Sequence, residues 1–123
     1  METKITFDTA QVTKNINTRI SMAQKKLDAQ VMKDSNYYCP MDSGDLQRSV
    51  LGSTLGSGLL VWSKDYAKKM YNFLTDKLSD EVASSKLSKE NNINASVKWF
   101  EVAKSRKLAS WIKLVDDEYG RGY

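Results

Sequence analysis

The chain has 123 residues, 41% of them hydrophobic, a net charge of +4, a single cysteine and no histidine. That length supports one domain, residues 1–123, with a modest core. The missing histidine excludes Ser-His and Cys-His nucleophiles, imidazole bases and His-ligated zinc, and a lone Cys39 excludes an intrachain disulfide.

In chain order, Asp8 is placed to cap a first helix, with Gln11 three residues on in capping-box register. Val12, Ile16, Ile20, Ala23, Leu27 and Val31 then recur at spacings of four and three, which predicts one amphipathic helix over residues 9–34. Lys14, Asn17, Lys25 and Asp28 fall on its polar face. Such a helix is about 40 Å long at 1.5 Å per residue. That is long for so small a domain, so part of its stripe is expected to pack on another subunit. Ser35-Asn36 supplies stop chemistry and Pro40 bars continuation. Asp42 or Ser43 then caps a short turn, Gly44 allows a chain reversal, and Leu46 and Val50 share one side of a helical turn.

Residues 48–63 read as a β-hairpin: Arg48 to Leu55, a Gly56-Ser57-Gly58 turn, and Leu59 to Ser63, with Gly52 at a bulge or twist. Lys64 to about Leu78 reads as a helix with Tyr66, Met70, Tyr71 and Leu74 on one stripe. Residues 79–94 are polar and read as a loop, with a helical turn between Val82 and Leu87. A second long helix, capped by Asn94 or Ser96 and ending near Tyr119, carries Trp99, Phe100, Ala103, Leu108, Trp111, Ile112 and Val115 on two faces. Two apolar faces suit a helix that meets both its own core and a partner. The tail from Gly120 to Tyr123 is expected to fray. The fold class expected is α+β: two long helices packed on a small antiparallel β-hairpin-based sheet.

No pattern calls for a catalytic residue, a cofactor or a metal. Asp116-Asp117-Glu118 reads as a solvated helix end, and Gly56-Ser57-Gly58 lacks the Lys-Ser/Thr of a phosphate loop. Cys39, with no base to activate it, reads as a packing residue. Lys104, Arg106 and Lys107 form the densest cationic patch and are candidates for polyanion contact; the remaining cations are spread along the chain. No apolar run approaches the ~18 residues that would span a bilayer.

The stretch Pro40-Met41-Asp42-Ser43-Gly44-Asp45-Leu46-Gln47-Arg48-Ser49 has the pattern P-x-D-S/T-G-x-L-x-x-S. It is followed by Trp62, by Tyr66-Ala67, and by Lys98-Trp99-Phe100-Glu101 with Ala103 beyond. This order of elements resembles the small neck proteins of long-tailed bacteriophages, the minor capsid, head-to-tail joining or tail-completion proteins, over most of residues 5–119. Asp65 and Asn94 stand where that family often has a proline start, and both can serve as helix caps. The resemblance implies that Pro40, Asp42, Ser43, Gly44 and Leu46 are a fold motif. It also implies a structural, non-enzymatic component of the virion neck, assembled in the host cytoplasm, that joins the portal side of the capsid to the tail. Its partners would be further copies of itself in a hexameric or dodecameric ring, and the stopper, tail terminator and portal-side proteins. DNA would pass without sequence-specific contact, and no membrane would be involved. Trp62, Tyr66, Tyr71, Trp99 and Trp111 are the interface candidates, because aromatic area dominates interface energetics. A small basic nucleic-acid-binding or phage regulatory protein is the alternative.

Overall fold

Two long helices carry the architecture. A computed structural model describes residues 10–120, with side chains from residue 20 onward. The expected Asp8 cap and the tail at residues 121–123 lie outside the described residues. Helix α1 spans Ala10–Asn36, α2 Asp45–Ser49, α3 Ala67–Tyr71, α4 Asp80–Ser85 and α5 Trp99–Tyr119. α1 and α5 run antiparallel: Lys26 Nζ meets Glu118 Oε2 at 2.7 Å near one end, and Trp111 Nε1 donates to Asp34 Oδ2 at 2.7 Å nearer the other. Ala23 and Val31 of α1 and Trp99, Ala103 and Trp111 of α5 are buried. Their spacings of four and eight residues place each set on one helical face.

The α+β expectation is corrected: among the described residues there is no strand and no sheet. Arg48 and Ser49 belong to α2, and Val50–Gly52 continues it as a 3-10 turn, so the first limb of the expected hairpin is largely helical. Serine hydroxyls take the place of a ladder on the facing segment. The Val61 amide donates to Ser53 Oγ at 2.8 Å, and the Ser63 amide to Ser49 Oγ at 3.1 Å. Such side-chain bonds offer the backbone an alternative to strand pairing. At the tip, the amides of Gly56 and Gly58 both donate to Asp28 Oδ2, at 2.8 and 3.0 Å. The tip closes locally through Ser57, which donates to the Thr54 carbonyl, and is fastened to α1 through Asp28. Asp28, assigned to the polar face from its spacing, is only 4% exposed for this reason.

α3 is also shorter than the expected Lys64 to Leu78 helix. After Tyr71 the chain proceeds through turns, and Leu74 sits at φ +59°, which a continuing right-handed helix does not permit. Leu74 instead packs with Phe73, Leu78 and Met70 against a second small core of Ala83, Leu87, Ala95 and Val97. The polar segment at residues 79–94 thus contributes its own buried side chains. Ser79 starts α4 by accepting the Val82 amide at 3.3 Å. α5 begins later than expected, because the residues before it are used elsewhere. The Ser96 amide donates to the Tyr38 carbonyl at 2.8 Å and the Lys98 amide to the Tyr71 carbonyl at 2.9 Å, with Lys98 at φ +47°.

The Pro40 motif joins these parts. Tyr38, Cys39, Pro40 and Leu46 are buried, while Asp42 and Ser43 are exposed. Gly44 precedes α2 at φ +88°, a conformation that suits a residue without a Cβ. Asn36, at the end of α1, donates to the Gln47 carbonyl at 3.0 Å and accepts Trp62 Nε1 at 2.9 Å. Gln47 Nε2 returns a bond to the Cys39 carbonyl at 2.9 Å. From the other side Asn92 Nδ2 donates to the Cys39 carbonyl at 2.8 Å, and Asn91 Nδ2 to the Asp42 carbonyl at 3.0 Å. Side-chain amides satisfy backbone groups that a sheet would otherwise have paired.

Candidate functional site

A groove of about 730 Å³ is bounded by α1, α5 and the loop that Asp28 fastens. Each boundary has a local cause. α1 contributes Leu27 and Val31 from its apolar stripe, and α5 contributes Phe100, Leu108, Trp111, Ile112 and Val115. The loop contributes Leu59, Leu60 and Trp62, held over the helices by the two glycine amides on Asp28. Trp111 is fixed in place by its bond to Asp34 and by stacking on Phe100, with ring centroids 6.2 Å apart and planes within 12°. At the rim Leu59 and Ile112 are 69% and 53% exposed, so the groove is lined by apolar surface that this chain does not cover by itself. Lys104 and Asp116 also line it, twelve positions apart on α5.

The chemistry of this region is that of contact. Burial pushes the Cys39 thiol up to about 12, so it stays protonated at neutral pH. Among the described residues no group of three or more His, Cys, Asp or Glu side chains forms a metal-holding set. The carboxyl of Asp45 is held below its usual range by the Arg48 guanidinium, then by Ser43, in an exposed pairing within the Pro40 motif.

The residues singled out from the sequence fall in different places. Trp62, Tyr71 and Trp111 line the groove, whereas Tyr66 is exposed beside the Pro40 motif. Trp99 is 1% exposed and lies edge-on to both Trp62 and Tyr71, at centroid distances of 5.8 and 4.7 Å. It has no surface left to offer a partner in this conformation. The three cations diverge: Lys104 lines the groove, and the Arg106 guanidinium lies 5.5 Å from the Tyr38 ring centroid as a cation–π contact. Lys107 is exposed on α5. Two contributors were not found from the sequence: Asp28, hidden by its position on the polar side of the stripe, and Leu59, read only as a strand residue.

Among the described residues the framework is helical, and it carries an apolar groove that this chain leaves open. The comparison with protein families gives the chain its identity: the family model described as minor capsid protein matches residues 3–117, and the chain belongs to that family. It is a structural component of the phage virion. No curated protein and no solved structure matches the chain.

Proposed function

We propose that this minor capsid protein is a component of the head-to-tail connector, closing as a homo-oligomeric ring in the virion neck that joins the portal side of the capsid to the tail during assembly. The observation that carries this reading is the uncovered apolar groove, with Leu108, Ile112 and Leu59 exposed around it, in a chain of the minor capsid family. Apolar side chains gathered around one open groove provide the kind of surface that packs against another protein. A ring around a channel needs two different patches that meet between successive copies. Further apolar side chains that could meet the stopper, the tail terminator or the portal side are exposed at Tyr37, Leu51 and Ile93, none of which lines the groove. The divergence of Lys104 and Arg106 argues against a single nucleic-acid face, so DNA would pass through without sequence-specific contact.

The test is loss of the gene product during infection. The reading predicts filled heads and complete tails that fail to join, seen by electron microscopy, with joining restored by supplying the protein. Normal joined virions in its absence would reject the connector role while leaving family membership untouched.

A further inference from the structure

Helix α1 outruns its partner. The pairing sets residue 26 opposite 118 and residue 34 opposite 111, and α5 stops at Tyr119. Ala23 is buried, but Ile20 and Met22 are 45% and 38% exposed. Residues 10–22 are helical backbone lying past that end, about 18 Å of helix at 1.5 Å per residue. In sequence this overhang has Val12, Ile16 and Ile20 at four-residue spacing, two cations, Lys14 and Arg19, and no carboxylate.

The groove is a receptor of matching size and charge. Along α5 it runs from Phe100 to Asp116, about 24 Å of helix, enough to take the whole overhang. The first turn of α1 has no acidic residue and the last turn of α5 has no basic one. The two cations of the overhang complement the Asp116 end of the groove, which lies at the negative end of the α5 dipole. An amphipathic helix laid into an apolar groove is a recurrent recognition mode.

We infer that the α1 overhang of one copy, residues 10–22, seats in the groove between α1, α5 and the Asp28-fastened loop of the next copy. This rests on the ring reading only in taking the partner to be a second copy. A chain cannot fill its own groove this way, because the antiparallel pairing sets Ile20 beyond the end of α5, about 18 Å along the axis from Ile112. Donor and acceptor are different patches of one chain, so the contact is heterologous and can propagate from copy to copy.

Cysteine bridging tests it directly, since buried Cys39 does not compete for reagent. Full-length chains carrying Ile20→Cys are mixed with affinity-tagged full-length chains carrying Ile112→Cys and treated with a short bismaleimide. Tagged-to-untagged dimers are expected about tenfold or more above a mixture of tagged and untagged native chains, a contrast equivalent to one good apolar contact. Adding Leu108→Asp to the acceptor should return the yield to background while circular dichroism stays unchanged. Bridging at background level, or bridging confined within single chains of the Ile20→Cys/Ile112→Cys double variant, overturns the inference. Native mass spectrometry separates the two readings: oligomers that persist without such bridges retain the ring and remove this interface. Chains that neither bridge nor oligomerise remove both.

Discussion

Asp28 decides where the loop at residues 53–63 lies. One carboxylate oxygen receives two glycine amides, and the other accepts Gln24 Nε2 at 2.7 Å. Removing it with Asp28→Ala leaves both amides without their acceptor, at about 1–3 kcal/mol for each that stays buried. The expected outcome is a lower urea midpoint together with faster amide exchange at Gly56 and Gly58, while α5 keeps its protection. Trp99 has a different weight. Since it is enclosed by Trp62, Tyr71 and the α1 side of the core, Trp99→Ala should cost about 3–5 kcal/mol of stability. Equilibrium denaturation would show this as a loss of fold, not as a selective loss of assembly. Gly44→Val places a Cβ at φ +88°, where the nearest atom, Arg48 Nη1, would lie 2.6 Å away. Arg48 can move its exposed end, so the backbone strain remains the main cost, about 1–2 kcal/mol; thermal denaturation of the variant measures it.

Cys39 gives the molecule a sign for its alkaline stability. Its thiol is pushed up from 9.0 to about 12 by burial, so between those values the unfolded chain ionises and the folded one does not. The unfolded state then binds fewer protons, and stability falls as pH rises through that window. Below pH 9.0 the thiol contributes no pH dependence. Cys39→Ala should flatten the alkaline limb of a stability profile measured by urea denaturation; an unchanged limb would show that burial of the thiol is not its cause.

At the scale of elements, both long helices were legible because a 3.6-residue period over twenty or more residues is a strong signal. The Pro40 stop was equally clear. The hairpin was misread because Leu59-Leu60-Val61-Trp62 has strand composition, whereas the Val61 and Ser63 amides go to serine hydroxyls and the adjoining Gly56 and Gly58 amides go to Asp28, twenty-eight and thirty positions away. No local pattern encodes a long-range acceptor such as Asp28. The Asn-rich stretch shows the same limit: it reads as loop, yet Asn91 and Asn92 clamp the Pro40 motif across about fifty positions. Of the groove, Trp62, Tyr71 and Trp111 were selected for their aromatic area and Ile112 was placed on an apolar helix face, whereas the rim residue Leu59 emerges only once the loop is placed. Ser49→Ala with Ser53→Ala should loosen residues 59–63 in amide exchange without changing the helical circular dichroism signal; a new strand signal would show instead that the hydroxyls had been suppressing a hairpin.

For the whole molecule, the α1–α5 pair is the rigid part and the loop, the groove and the overhang are the surfaces presented by it. A helical frame closed by Lys26–Glu118 at one end and Trp111–Asp34 towards the other holds these surfaces at fixed spacing, as the proposed ring would require. Changing Lys104 or Lys107 to glutamate should leave folding intact by circular dichroism, since both are exposed on α5. A loss of helicity would place them in the core network. The central claim concerns where this minor capsid protein sits. Electron cryomicroscopy of purified virions, with the chain fitted into the density between the portal and the tail, tests it most directly. The account predicts a closed ring of repeated copies in the neck, each with an α1 overhang lying in its neighbour's groove. Neck density that cannot accommodate the α1–α5 pair, with the protein found in the capsid shell or missing from the particle, would contradict it.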